Sequence, residues 1–267
     1  MFLEIFQFEF MQRAFLAGAV IAVIAPLIGN YLVVRRYSLM FDTLAHVGLT
    51  GVAIGVLLHT QPVVTAIVVT VLAALGIEYL RERREILGES VLAIFLSGSL
   101  ALAVVLMSIA GGLNVDLLSF LFGSITTVTS TDLYFILILG AVTILTIVLL
   151  YKELFLISFD QELARANGLP VRLLNNLIVV LAAITVALSM RIVGALLIGA
   201  LMVIPVVAAV QARRSFVQTI LISIVIAALS VFFGLIFSYY FDLASGGTIV
   251  LHTLAFFALS LLFTRKT

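Results

Sequence analysis

The sequence predicts an all-α, polytopic membrane protein of about eight to nine transmembrane helices, and three observations carry that prediction. The 267 residues are 64% hydrophobic and only 10% charged, against roughly 45–50% apolar and about 25% charged in an ordinary soluble domain. Predominantly apolar stretches recur from Phe10 to Phe263 with short polar breaks between them, each near the roughly 20 residues that cross a hydrocarbon core. Threaded alternately through a bilayer, these stretches bring the basic clusters to one side, as the positive-inside rule asks of the cytoplasmic face. A single membrane domain over 1–267 is expected.

The predicted spans run 11–34, 43–58, 62–80, 90–110, 133–150, 173–189, 192–210, 216–239 and 249–263. Before the first, MFLEIFQFEFMQRA carries Glu4 and Glu9 and no basic n-region or cleavage site, so no cleaved signal is expected. Pro26 near Gly29 predicts a kink in that span, because proline removes a backbone donor. Arg35 and Arg36 follow on the cytoplasmic side, and the second span carries Gly51 and Gly55, a GxxxG spacing that lets helix backbones approach closely. Arg81, Arg83 and Arg84 close the third span on the cytoplasmic side. Between the fourth and fifth, the external stretch 111–132 contains DLLSFLFGSI, apolar but too short to cross, which predicts an interfacial or re-entrant segment. Lys152 through Arg172 form a cytoplasmic connector, and Met190–Arg191 a tight external turn. Pro205 predicts a kink in the seventh span; Arg213 and Arg214 are cytoplasmic, 242–247 is external, and Arg265–Lys266 end the chain inside. Nine spans place the N-terminus outside and leave Arg13 as the one exception; eight result if the first two merge or one re-enters.

Few residues in these spans can do chemistry. With no cysteine, disulfides and thiolate metal sites are excluded, so a metal must be met by histidine, carboxylate or hydroxyl groups. The net charge of +1 gives no nucleic-acid signature. In SLMFDTLAHVGLTGVAIG, Asp42 and His46 lie four apart and so share one helix face. An oxygen and an imidazole there suit Zn²⁺ or Mn²⁺, with Thr50 continuing the face. The plainer reading makes Asp42 a helix cap and His46 a packing residue. A third ligand is needed, and Asp242 is the best candidate by chemistry; the alternative is a loop carboxylate beside a Ser245 cap. His252 lies within the last span and His59 in an external loop, and both fit packing or surface roles. Asp116 and Asp132 flank the external re-entrant stretch, where carboxylates would attract cations.

A second signal lies in SFDQELARANGLPVRLL. Ser158 followed by Gln161 is a capping-box pattern, and Gly168 then Pro170 marks a helix end, so a short polar helix over 159–167 is encoded on the cytoplasmic side. It docks a partner or serves as a well-capped connector. No GxxxxGK[ST] phosphate loop, HExxH or GxSxG occurs, which removes ATP hydrolysis by that route and the easiest protease and hydrolase readings.

Four segments together resemble the permease subunit of the zinc/manganese/iron ABC importer family: VVRRYSLMFDTLAHVGLTGVAIG; VDLLSFLFGSITTVTSTDL, with Phe120 where tyrosine is usual; SFDQELARANGLPV running on to VGALLIGALMVIPVVAA; and FDLASGGTIVL. Phe41 stands where the family commonly has glycine, placing bulk beside Asp42, and Ala244 where proline is common. The resemblance implies a type II ABC importer-like fold and a dimer of permeases in a prokaryotic inner membrane. It implies a cytoplasmic ATPase docked on a coupling helix within 158–170 through Phe159, Asp160, Glu162, Leu163, Arg165, Ala166 and Gly168, and an external metal-binding protein. Asp42, His46 and Asp242 would then meet Zn²⁺, Mn²⁺ or Fe²⁺ as transported substrate, with no permanently bound cofactor. The alternative is a gradient-driven secondary transporter, for which inverted repeats are typical; none is evident. A membrane-embedded enzyme lacks a recognisable base or nucleophile.

Overall fold

The computed structural model describes residues 4–82, 88–110 and 115–264. Arg83, Arg84, Arg265, Lys266 and the side chain of Asp116 lie outside the described residues. Among the described residues a 3₁₀ turn, Glu4–Gln7, precedes twelve α-helices: α1 (Glu9–Val34), α2 (Leu39–Leu57), α3 (Pro62–Glu82), α4 (Gly88–Ile109), α5 (Val115–Phe122), α6 (Ser130–Leu149), α7 (Tyr151–Phe159), α8 (Gln161–Ala166), α9 (Val171–Ser189), α10 (Ile198–Val210), α11 (Phe216–Phe241) and α12 (Ser245–Thr264). Eight of them, α1 to α4, α6, α9, α11 and α12, are long and apolar enough to cross a membrane.

The contacts at helix ends sort the bundle into two faces. At one face Arg13 reaches the Ser130 hydroxyl and Arg191 pairs with Asp132. At the other, Phe216 stacks edge-on with Tyr31 at 5.2 Å and Phe155 at 5.1 Å, and Arg172 pairs with Glu82 at 3.0 Å. Arg35, Arg36, Arg81, Lys152, Arg165, Arg172, Arg213 and Arg214 gather at this second face, the charge pattern that the positive-inside rule associates with a cytoplasmic side; it is called the inner face below and the opposite one the outer face. Because Arg191 lies at the outer face and Phe216 at the inner, the chain crosses between them. This pass, the seventh in chain order, is not one helix: residues 190–197 are irregular and only the 13 residues of α10 are helical. Gly194 supplies the break at φ 85°, where a Cβ would also press 2.5 Å from the Leu121 carbonyl oxygen.

Within the bundle α2 packs chiefly on α3 and α4, α1 on α11, and α10 on α1, α11 and α12. The GxxxG expectation holds: a Cβ on Gly51 would lie 2.6 Å from Ala66 Cα, and one on Gly55 2.9 Å from Pro62 Cα, so the α2 and α3 backbones touch. Helix α1 runs unbroken through Pro26, with the Asn30 amide donating to the Pro26 carbonyl at 2.7 Å and to the Ser223 hydroxyl at 2.8 Å of α11. Such polar side chains join helices where water is absent. Phe41, whose bulk the sequence placed beside Asp42, turns into the core and is fully buried.

Candidate functional sites

Helix α2 carries Asp42 in its first turn and His46 one turn deeper. Both are half-buried while Phe41, Thr43, Leu44, Ala45 and Val47 around them are buried. With exposed Leu39 and half-buried Ile54 they mark one open face of α2. His46 Nδ1 lies 2.8 Å from the Asp42 carbonyl oxygen. A carbonyl only accepts, so Nδ1 is the donor; in the neutral imidazole Nε2 then holds the lone pair, the arrangement that orients a metal-ligating imidazole. The Asp42 carboxylate rests against Gly199 in the first turn of α10, where any Cβ would collide with it. Thr50, expected to extend this face, instead donates to the Ser99 carbonyl at 2.8 Å and ties α2 to α4.

The other candidates go elsewhere. Asp242 ends α11 in the left-handed conformation, φ 49°, at the outer face. Asp42 lies within a turn of the inner end of α2, so the structure does not bring these carboxylates together. No cluster of three His, Cys, Asp or Glu side chains occurs among the described residues. The Ser245 hydroxyl, expected as a cap, donates to the Ile192 carbonyl at 2.6 Å. His252 bonds the Thr248 carbonyl and stacks against Phe233 and Phe237, and His59 is exposed in its turn.

Asp132 is no cation lure. It is 2% exposed, forms a capping box with Thr129 at the start of α6, and lies 3.4 Å from Arg191 Nε. Spacing shows Asp132 near an external loop, but only the fold shows that Arg191, 59 residues on, meets it.

At the inner face α8 hangs from α7 and α9. The expected cap shifts by two residues: Ser158 donates inside α7 to the Leu154 carbonyl, and Asp160 caps α8 by accepting from the Leu163 N–H at 2.9 Å. The helix stops as the sequence indicates, with Gly168 at φ 78° and bonds from Leu169 N–H to Ala164 and from Gly168 N–H to Arg165, a Schellman end. Only Ala164 is buried; Phe159 and Leu163 are 56% and 50% exposed, with Asp160, Glu162, Arg165, Ala166 and Gly168 exposed around them. Between α8, α3 and α9 opens a polar cleft of about 820 Å³, reaching Tyr37, Glu78, Arg81 and Asn175.

A helical bundle with eight membrane-length helices among the described residues, and an uncovered polar helix at its basic face, has the build of a transporter's membrane subunit. The chain matches the ABC 3 transport family over residues 7–264 and belongs to it. It is 31% identical over 267 residues to the manganese transport system membrane protein MntC of Listeria monocytogenes, covering 100% of this chain and 95% of that protein. Its identity to the high-affinity zinc uptake system membrane protein ZnuB of Haemophilus influenzae is 32% over 254 residues, 95% of this chain and 97% of that one. In structure it is similar to a chain of PsaBC from Streptococcus pneumoniae in complex with Fab: TM-score 0.87, 33% identity, covering 97% and 95% of the two chains. Nothing in these likenesses supports a gradient-driven secondary transporter.

Proposed function

We propose that this chain is the membrane-spanning subunit of an ATP-driven importer of divalent transition metal ions, zinc, manganese or iron, in a prokaryotic cell membrane. Membership of the ABC 3 transport family supports the class, and relatives named for manganese and for zinc support the cargo. A cytoplasmic ATPase docks on α8 and hydrolyses ATP; an external binding protein delivers the ion to the outer face.

The observation that carries the metal reading is the paired Asp42 carboxylate and free His46 Nε2 on the open face of α2. A carboxylate and imidazole at membrane depth are costly unless they face a polar path or partner. One chain offers two donors, and no third joins them among the described residues. A second copy facing this stripe brings the total to four, the usual count for zinc. Oxygen and nitrogen donors serve zinc, manganese and iron alike. Asp242 stands apart from this station, at the mouth.

The test is uptake by the permease–ATPase complex in proteoliposomes. Zn²⁺ or Mn²⁺ entry should require ATP, and Asp42→Asn or His46→Ala should each stop it while the complex still co-purifies. Ion-gradient-driven entry through the permease alone would overturn the ATP-driven reading, and full transport by both variants would remove the site.

A further inference from the structure

The irregular stretch of the seventh pass, residues 190–197, joins two features that the sequence keeps apart. Its start is anchored at the outer face by Arg191. The guanidinium lies over the Phe120 ring at 4.3 Å, its Nη1 donates to the Thr127 carbonyl at 3.3 Å, and its Nε sits 3.4 Å from the Asp132 carboxylate, a charge contact rather than a hydrogen bond. The side chains of the ion pair are 13% and 3% exposed. A pair so far from water acts with little screening, and breaking one side strands the other charge.

The backbone beyond Arg191 is stiff. The Arg191 carbonyl accepts from Ser124 N–H, while Ala195 and Leu196 donate to the Phe120 and Leu121 carbonyls of α5. Gly194 N–H bonds the Met190 carbonyl, Ile198 N–H bonds that of Gly194, and Ser245 of α12 grips the Ile192 carbonyl. Ile192, Val193, Ala195 and Ile198 are all at most 1% exposed. Gly199 comes next, and it is the residue on which the Asp42 carboxylate rests. A short run of packed, hydrogen-bonded backbone therefore leads from the outer anchor to the cargo carboxylate.

We propose that Arg191 is a positioning residue for Asp42: by fixing the start of this strut to Asp132, Phe120 and Thr127, it sets the height of the first turn of α10 and hence the geometry of the carboxylate that meets the metal ion. The inference rests on Asp42 and His46 being the cargo station. It makes closure of the outer face and affinity at Asp42 two readings of one structural state, so each changes the other.

The experiment measures Mn²⁺ and Zn²⁺ affinity and thermal midpoint together on the purified permease–ATPase complex. Arg191→Gln should weaken cation affinity about tenfold, and the exchange Arg191→Asp with Asp132→Arg, which restores the pair in reverse, should recover most of it. Arg191→Lys keeps the charge but loses the fork and the flat stack, so it should fall between, and it serves as the milder variant if Arg191→Gln does not fold. Gly199→Ala, which leaves the anchor whole and pushes on the carboxylate directly, should match the loss. A merely structural Arg191 would lower the midpoint and leave affinity within twofold of the parent, which would overturn the proposal. Asp42→Asn runs alongside. If it abolishes binding while Arg191→Gln does not alter it, only the positioning role falls; if Asp42→Asn binds as the parent does, the cargo station itself is wrong and the proposal falls with it.

Discussion

Replacing Phe216 by leucine isolates the joint between α8, the proposed dock, and the rest of the bundle. Phe216 opens α11 and meets three rings edge-on: Tyr31 of α1 at 5.2 Å, Phe155 of α7 at 5.1 Å and Phe159 at 5.6 Å. Phe159 is the last residue of α7, just ahead of α8. Any push delivered to α8 therefore reaches α11 and α1 through this cluster. An aromatic pair contributes about 0.5–1.5 kcal/mol beyond its buried area. Phe216 is only half-buried, so the low end applies, and three pairs come to about 1.5 kcal/mol. Leucine keeps much of the apolar volume and removes the rings. A loss near 1.4 kcal/mol is a factor of about ten in the population of the joined state. In proteoliposomes holding the permease–ATPase complex, metal ions moved per ATP hydrolysed should fall about tenfold, while ATPase co-purification stays intact because α8 is untouched. A ratio within twofold of the parent would refute the idea that the aromatic joint transmits the stroke.

Leu163→Asp puts a charge on the exposed apolar knob of α8; since burying a leucine contributes about 1.5–3 kcal/mol, ATPase co-purification should drop at least tenfold with cation affinity unchanged, and undiminished capture would discard α8 as the dock. Gly51→Val forces a Cβ to within 2.6 Å of Ala66 Cα, an overpacking worth about 1–3 kcal/mol, and should lower the thermal midpoint by several degrees. Gly98→Val, where a Cβ meets nothing within 4 Å, is the control and should leave the midpoint in place.

The membrane-length helices and the gathering of basic residues were legible because bilayer thickness and loop charge are written in composition along the chain, and Arg35, Arg81 and Arg213 sort to one face as expected. Gly51 and Gly168 were legible too, each through a local steric requirement. What escaped were pairings across distance. Asp132 reads as an entrance carboxylate until the fold sets Arg191 beside it, and Asp242 reads as a third ligand until α11 carries it to the far face. The helix start was missed by two residues because Ser158 and Asp160 are both able caps, and only the course of α7 through Phe159 decides between them. Residues 192–197 are apolar enough to pass for helix; that they are not depends on carbonyl partners at Phe120 and Leu121, which no local pattern announces.

That break is also what makes the seventh pass useful. A continuous helix of about 20 residues is a rod, and its two ends move together. Irregular backbone survives at membrane depth only where protein satisfies its polar groups, and here α5 and Ser245 do so. Helix α10 is left as a short body that packs on α1, α11 and α12 and touches α2 at Gly199. Its Met202 carbonyl abuts Gly29 of α1, where a Cβ would collide with it. In the proposed cycle, motion from the inner side would arrive through Phe216 on α11 and α1, the helices that hold α10, and motion from the outer side along the Arg191 strut. Both routes end at α10, and α10 supports the Asp42 carboxylate. Two separately anchored ends bearing on one carboxylate are what the proposed pathway needs if it is to bind its cargo from one side and release it to the other.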